Sequence, residues 1–292
     1  MTIPHGVRPP GYRLPDATHL GCVRLVVSDL ARSLAYYEQV LGLRVMHRHG
    51  EVATLGPRDE DHVIVELHED QRVQAVPHHG RLGLYHFAIL LPTRAALGRF
   101  LSHLAERNER AGMSDHNVSE AIYLQDPDNL GIEVYADRPR STWRYHDGQL
   151  AMSTIPLDVN GLLAAAEGEP WTGMPRGTRL GHVHLHVGEI DRASAFYHDA
   201  IGFDKVVWSY PGALFMSAGG YHHHLGTNTW ARKAPSASER DARLLEWEIR
   251  LPAASDVQDV AKSLEQNGVL VEKGTNSLQV KDPWGTTVRI TC

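Results

Sequence analysis

The feature that most constrains the fold of this 292-residue chain is an internal repeat. The stretch LGCVRLVVSDLARSLAYYEQVLGL at 20–43 aligns without a gap with LGHVHLHVGEIDRASAFYHDAIGF at 180–203. A second pair of segments, LYHFAILLPTRAAL from 84 and LLEWEIRLPAASDV from 244, has the same offset of 160 residues. Because a fixed offset in separate segments indicates a duplicated architecture, the chain is predicted to consist of two related halves.

Each half is predicted to contain two similar modules. A module begins with an alternating strand such as VRLVV, continues into an amphipathic helix such as LARSLAYYEQVLG that ends at a glycine, and closes with short strands. The pattern predicts four βαβββ modules at 19–70, 83–137, 180–230 and 243–292. The predicted divisions of the chain are an N-terminal extension (1–18), an N-terminal domain (19–137), a linker with a short helix at VNGLLAAAE (138–179), and a C-terminal domain (180–292).

This module pattern predicts an α+β fold. One face of each small sheet packs on the helix of its own module, so the other face remains bare until a second module covers it. We therefore expect the four modules to pair into two half-open barrels, each with a concave side that can hold a ligand.

Polar residues with ligand-type side chains occupy matching positions in the four modules. On the first strand of the third module, the apolar Val183, Leu185 and Val187 should pack on the helix. This leaves the alternating histidines for the concave face, namely His182, His184 and His186. Alignment of the modules places Cys22, His86, His182 and Glu246 at one first-strand position, and Glu66, Glu133, His223 and Arg289 on the closing strands.

These positions predict a metal site if the second and third modules share a cleft. His86, His182 and Glu133 then form a set of two histidines and one carboxylate, with His223 beside it. Such a set leaves coordination positions open and suits non-haem Fe(II). The cleft of the first and fourth modules is expected to lack a metal, since Arg289 brings a cation where a metal requires an anion.

Three consecutive histidines occur in GGYHHHLGTNTW at 219–230, a segment that is predicted to be a strand. Strand alternation places His223 on the cleft side and leaves His222 and His224 on the other side, either in structural roles or in support of the residues that form the site. A register shift of one residue would reverse this assignment. An alternative metal site, confined to the C-terminal half, would use His182, His223 and Glu246 as ligands.

Composition and charge exclude several classes of function. The formal net charge is −6 and no basic run is present, so nucleic acid and anionic membrane surfaces are not expected partners. No apolar run reaches the roughly 18 residues that span a bilayer. The opening MTIPHGVRPPGYRLP lacks the apolar segment of a secretion signal, and two cysteines cannot form a disulfide framework. We therefore expect a cytoplasmic protein.

The fourfold pattern resembles the vicinal oxygen chelate superfamily. The segments GLYHFAILLP, SDHNVSEAIYLQDPDNLGIEVYADRPRSTW, LGHVHLHVGEIDRASAFYHDAIGF and ALFMSAGGYHHHLGTNTW are similar to the bacillary type of catechol 2,3-dioxygenase, a type I extradiol dioxygenase. The resemblance covers nearly the whole chain and is densest in the second and third modules. It implies that a small aromatic diol, catechol or a substituted catechol, reacts with O2 to give a ring-opened semialdehyde. We also expect the chain to form a homo-oligomer.

The resemblance also implies roles for individual residues. Fe(II), with Mn(II) as an alternative, would be bound by His86, His182 and Glu133. Tyr123, ten residues before the glutamate, would hydrogen-bond the substrate oxygen, and His223 would act as the acid/base catalyst. The substrate site would further be lined by His116. Independently of the resemblance, Trp230, Trp143 and Tyr145 could contribute an aromatic wall to that site.

Two other classes of function share this scaffold. A glyoxalase-type isomerase or lyase would use a redox-silent metal and consume no O2, and a drug-sequestering protein would bind its ligand without a metal. Because the fold does not choose among these classes, metal analysis and an oxygen electrode are the measurements that distinguish them.

Overall fold

The computed structural model describes residues 6–77 and 80–292; the first five residues of the predicted N-terminal extension lie outside this range. The first module consists of β1 (His19–Val27), α1 (Leu30–Gln39), β2 (Arg44–His49), β3 (Val52–Gly56) and β4 (Val65–Glu69). The second module consists of β5 (Gly83–Leu91), α2 (Arg94–Glu106), β6 (Gly112–Asp115), β7 (Ser119–Gln125) and β8 (Gly131–Asp137).

The linker contains a 3-10 turn (Arg140–Thr142), the small hairpin β9 (Tyr145–His146) and β10 (Gln149–Leu150), and the predicted short helix, α3 (Val159–Ala164). The third module consists of β11 (Arg179–His186), α4 (Ile190–Ala193) with a π-helical continuation (Ser194–Ile201), β12 (Asp204–Val207), β13 (Ala213–Ser217) and β14 (Leu225–Asn228). The fourth consists of β15 (Arg243–Arg250), α5 (Ala254–Gln266), β16 (Glu272–Gly274), β17 (Ser277–Lys281) and β18 (Thr287–Thr291).

The predicted α+β architecture of paired βαβββ modules is confirmed. Two curled eight-stranded sheets have the orders β16-β17-β18-β15-β1-β4-β3-β2 and β12-β13-β14-β11-β5-β8-β7-β6. The first and fourth modules therefore share one sheet, and the second and third share the other. In each sheet the two modules meet through an antiparallel pair of first strands, β1 with β15 and β5 with β11.

The ends of the helices are set by capping side chains and by a glycine. The Asp29 side chain accepts a hydrogen bond from the backbone N–H of Arg32 at 2.9 Å, and Thr93 caps α2 in the same way. At the end of the third module's helix, Gly202 has a φ of 102°, a left-handed conformation that glycine adopts without strain. Capping of this kind satisfies backbone groups that a helix end leaves unpaired.

In each half of the chain, a tyrosine on the helix of the first of its two modules forms a hydrogen bond to the second. The hydroxyl of Tyr37 donates to Asp126 at 3.1 Å, and the hydroxyl of Tyr197 donates to Asp282 at 2.9 Å. Each aspartate opens the Asp-Pro turn of the following module and also accepts two backbone N–H groups. Burial raises the pKa of Asp126 to about 7, against the effect of its backbone hydrogen bonds.

The core lies between the sheets and their helices, as strand alternation predicts. Val183, Leu185 and Val187 are buried in it, which confirms that the apolar side of β11 packs on the helix. None of the helices in the described part of the chain combines the length and the apolar character needed to cross a membrane.

The prediction of a strand through the three histidines is wrong. Residues 218–224 form a loop, and β14 begins at Leu225. Gly219 and Gly220 both have positive φ values, 61° and 65°, which reverse the chain direction. The Nδ1 atom of His224 then accepts the backbone N–H of Ala218 at 3.2 Å, so a side chain takes the place of a strand hydrogen bond.

Candidate metal centre and its cavity

Strand register brings the predicted ligands together on the concave face of the second sheet. Ala88 pairs with His182 across the antiparallel pair of β5 and β11, and with Glu133 across the parallel pair of β5 and β8. Tyr123 pairs with Glu133 on the next strand, so one cross-strand row runs through four strands. His86 lies two residues before Ala88 and therefore points to the same face. The small Ala88 side chain leaves the space between its neighbours free of bulk.

The three ligand-type side chains converge closely. The Oε2 atom of Glu133 lies 3.0 Å from Nε2 of His86 and 3.1 Å from Nε2 of His182. One ligand atom from each residue lies within 4.8 Å of the other two, and all three side chains are buried. Among the described residues, Nε2 of His86 makes no well-directed hydrogen bond, although Oε2 of Glu133 is close to it. A buried imidazole nitrogen left in this way, next to a second imidazole and a carboxylate, fits a divalent metal.

Electrostatics within the cluster favour its metal-binding protonation states. Burial by itself would raise the pKa of Glu133, but the adjacent His182 and His86 outweigh it and hold this pKa well below its usual value. Burial lowers the pKa of His182 to about 4, although Glu133 opposes the shift. Glu133 is therefore ionised and His182 is neutral near pH 7, as metal binding requires.

The three consecutive histidines have three different environments. His223 lines the cavity, and its ring centroid lies 4.0 Å from that of His182. His222 is fully buried behind it, with its Nε2 atom 2.9 Å from Oδ1 of Asp137. His224 points away, and burial lowers its pKa to about 3. Burial also lowers the pKa of His223 well below its usual value, so this imidazole is neutral at pH 7.

A cavity of about 340 Å³ opens beside the ligand cluster. Its lining contains the predicted residues His116, Tyr123, His223 and Trp230 together with the three candidate ligands. Trp230 is 48% exposed, so it lies at the mouth. The other lining residues were not predicted to contact a substrate: Tyr85, Ser114, Met152, Ser153, Thr154, His184, Tyr210 and Phe215.

One wall of this cavity comes from the linker. Ile155 forms a β-bridge with Asp115, and the amide of Asn117 donates to the hydroxyl of Ser153 at 2.7 Å. The Nδ1 atom of His116 lies 2.7 Å from the carbonyl oxygen of Ser153, which can accept but not donate. The Nδ1 atom of His116 therefore carries a proton, and its Nε2 atom accepts the hydroxyl of Tyr123 at 2.6 Å when the ring is neutral.

Two aromatic residues predicted for the substrate wall lie elsewhere. Trp143 is buried against His222, with ring centroids 5.6 Å apart, and Tyr145 lies exposed on the hairpin of β9 and β10. The prediction is wrong for these two, because the described lining of the cavity does not include them. The aromatic wall is formed instead by Tyr85, Tyr210 and Phe215. Sequence periodicity carries no signal for this choice, since it depends on packing between distant segments.

The other sheet carries an ion-pair cluster at the equivalent place. Arg24 pairs with Glu246 in the strand register, as His184 pairs with His86 in the second sheet. The guanidinium of Arg24 forms ion pairs with Glu246 and with Glu66. An internal cation thus neutralises the carboxylates in this cleft. Among the described residues, ligand-type side chains converge closely enough to hold a metal around Glu133 and not here.

The strand register also tests the module alignment. Ala88 and Glu248 occupy equivalent positions, and they pair with Glu133 and Arg289 respectively. The predicted match of Arg289 with Glu133 is therefore confirmed. Arg24 and His184 occupy equivalent positions, and they pair with Glu66 and Gly226 respectively. Glu66 therefore matches Gly226, and its predicted match with His223 is wrong.

The alternative metal site within the C-terminal half is also wrong. Glu246 lies on β15 in the first sheet. His182 lies on β11 of the second sheet, and His223 lies in the loop before β14 of that sheet. The carboxylate of Glu246 is held by Arg24 and Gln279.

The fold and the residue pattern define a member of a known superfamily. The model of the Glyoxalase/Bleomycin resistance protein/Dioxygenase superfamily matches residues 19–134 and 179–290, and the chain belongs to this superfamily. Within it, the chain is 44% identical over 272 residues to the catechol-2,3-dioxygenase of Bacillus subtilis (strain 168), across 92% of this chain and 95% of that protein. The chain is therefore an enzyme of the dioxygenase class.

Solved structures share the fold at low sequence identity. A candidate dioxygenase of Bacillus subtilis subsp. subtilis str. 168 has a TM-score of 0.65 at 13% identity, covering 96% of this chain and 86% of that chain. Glyoxalase I from Zea mays has a TM-score of 0.55 at 16% identity, covering 94% of this chain and 92% of that chain. At these identities the similarity supports the fold alone.

Proposed function

We propose that the protein is an Fe(II)-dependent extradiol dioxygenase that cleaves catechol or a substituted catechol with O2. The observation that carries the proposal is the convergence of His86, His182 and Glu133 beside a cavity with aromatic walls. Two imidazoles and one carboxylate form the ligand set of non-haem Fe(II) oxygenases, with Mn(II) as the alternative metal. The 44% identity to a catechol-2,3-dioxygenase supports the substrate class.

The three ligands would hold the metal on the concave face. A bound Fe(II) would supply the Lewis acidity and the redox chemistry that the reaction of a catechol with O2 requires. Glu133 brings the negative charge that partly offsets the charge of the ion, and the buried surroundings strengthen this attraction. The rigid strands beneath His86 and His182 keep both imidazoles in position without movement of the backbone.

Side chains around the cavity would orient the diol and manage its protons. The hydroxyl of Tyr123 donates to His116 in this structure and would donate instead to a catechol oxygen that gains negative charge. His223, neutral at pH 7, would accept a substrate proton and later return it. Phe215 and Tyr210 would pack on the faces of the aromatic ring and exclude water from it.

Anaerobic loading with Fe(II), followed by addition of catechol and air, tests this proposal. We expect O2 uptake and formation of a ring-opened semialdehyde. His86→Ala and Glu133→Ala should bind little iron and lose turnover, whereas His223→Ala should retain iron and lose turnover by roughly 10²–10⁴-fold. Full turnover in His86→Ala would refute the ligand assignment, and substrate conversion without O2 uptake would point to isomerase or lyase chemistry.

Two further properties are part of the proposal. Both cysteines are free thiols, with Cys22 buried and Cys292 exposed, which is compatible with the reducing cytoplasm. Homo-oligomer formation stays a prediction, and sedimentation velocity of the purified chain tests it directly.

A further inference from the structure

A buried chain of hydrogen-bonding groups leads from the surface to the candidate acid/base catalyst. The Nε2 atom of His222 lies 2.9 Å from Oδ1 of Asp137, and its Nδ1 atom lies 2.8 Å from Nδ1 of His223. The side chain of Asp137 is 27% exposed, whereas that of His222 is fully buried. Tyr221 also donates to Oδ1 of Asp137, at 3.2 Å, and so holds the carboxylate in place. His222 is not part of the described cavity lining.

The donors and acceptors in this chain determine where the protons lie. A carboxylate only accepts hydrogen bonds, so Nε2 of His222 must carry the proton that it donates to Asp137. In a neutral His222 the Nδ1 atom is then an acceptor, and the hydrogen bond at 2.8 Å requires a proton on Nδ1 of His223. The remaining nitrogen of His223, Nε2, is therefore the one that carries the lone pair.

We propose that Asp137 and His222 are positioning residues that fix the tautomer of His223, so that its bare Nε2 is available to the substrate in the cavity. A carboxylate behind an imidazole is an established means of selecting a tautomer and orienting the ring. Here the selection passes through a second imidazole. The role in turnover rests on the proposed function, but the tautomer itself belongs to the protein without substrate.

This proposal also accounts for the three consecutive histidines. His223 faces the cavity, His222 links it to Asp137, and His224 accepts a backbone N–H to stabilise the loop. The loop conformation, which follows the two glycines, turns His222 and His223 so that their Nδ1 atoms meet. Adjacent residues of a regular strand point to opposite faces and would not make this contact.

Nitrogen NMR of the full-length chain, labelled with ¹⁵N-histidine, tests the tautomer. We expect His223 to show a protonated Nδ1 and an unprotonated Nε2, both in the metal-free chain and after addition of diamagnetic Zn²⁺. The resonances are assigned by their loss in His223→Gln. A protonated Nε2 on His223 in the unmodified protein would overturn the proposal, whatever the protein does with catechol.

Two variants and one control connect the tautomer to its cause. His222→Phe keeps the ring volume but removes both hydrogen bonds, and Asp137→Ala removes the carboxylate at a partly exposed position, where folding is tolerant. Both should produce a mixture of His223 tautomers. His224→Asn keeps an acceptor for the loop and should leave the tautomer unchanged. A single unchanged tautomer in both His222→Phe and Asp137→Ala would contradict the proposal.

Kinetics separate positioning from a merely structural role. With Fe(II) and catechol, His222→Phe should keep its iron content and its KM, because it does not touch the cavity, and lose about 10²-fold in kcat. His224→Asn should retain kcat. If NMR shows the expected tautomers but the unmodified protein does not cleave catechol, the proposed function fails and the tautomer assignment stands. Equal losses of kcat in His222→Phe and His224→Asn would assign the effect to loop packing instead.

Discussion

Removal of one hydroxyl should reveal how the cavity holds its substrate. In Tyr123→Phe the ring remains beside Glu133, and the variant loses the hydroxyl that lies 2.6 Å from Nε2 of His116 and that also interacts with Glu133. A hydrogen bond to a charged group contributes about 1.5–3 kcal/mol. A bond of that strength to a catechol oxygen that gains negative charge in the transition state corresponds to a roughly 10- to 150-fold fall in kcat/KM.

The stability of Tyr123→Phe should change much less. His116 keeps its bond to the carbonyl oxygen of Ser153, and its Nε2 atom lines the cavity, where water can replace the hydroxyl. A net loss of about 1 kcal/mol should lower the Tm by about 2 °C in a chain of this size. The small shift in Tm and the large fall in kcat/KM together distinguish substrate binding from folding.

Initial rates of O2 uptake after anaerobic Fe(II) loading measure the effect, with iron content determined on the same samples. Tyr197→Phe is the matched control, because its hydroxyl donates to Asp282 at 2.9 Å, away from the cavity. The control should retain kcat/KM. An unchanged kcat/KM in Tyr123→Phe at full iron content would show that this hydroxyl does not anchor the substrate.

Two further predictions concern charges outside the cavity. Because the pKa of Asp126 is about 7 in the folded chain and 3.8 is its ordinary value, the folded state binds this proton more tightly. The stabilisation is complete below about pH 4 and decreases by about 4 kcal/mol as the pH rises through 7. Asp126→Asn should remove this pH dependence of the free energy of unfolding, which urea unfolding at several pH values measures. The same pH dependence in both proteins would contradict the prediction. Arg24→Met removes the cation shared by the carboxylates of Glu246 and Glu66, which keep only Gln279 and His68 as partners in a partly buried site, so the free energy of unfolding should fall by about 2 kcal/mol. Its catechol turnover should not change, and a loss of turnover in the folded variant would show that the two clefts are coupled.

Much of the fold follows from periodic features of the sequence. The offset of 160 residues aligns strands that occupy equivalent places, and alternation along β11 separates Val183 from His182. Since the repeat is visible by comparing the two halves and alternation acts between neighbouring residues, the concave position of the candidate ligands could be predicted before any contact was known. The loop at 218–224 could not, because two glycines with positive φ values and a side chain bonded to the backbone leave no periodic signal.

The cavity wall depended on contacts that sequence patterns do not encode. Met152 and Ser153 belong to the linker, and they reach the cavity because Ile155 pairs with Asp115 at the free edge of β6. Trp143 was expected at the substrate and is instead buried against His222. Aromatic character identifies residues that bury a large area, but it does not tell whether they line the cavity or pack in the core beside it.

By itself, the sequence determined the duplicated βαβββ architecture and the short set of ligand-type residues on concave strand faces. Tertiary structure decided that the second and third modules pair within one chain, that Arg24 neutralises the other cleft, and that His222 connects Asp137 to His223. The physical reason is range: alternation and capping act over a few residues, whereas strand pairing and buried polar contacts join segments that lie far apart along the chain.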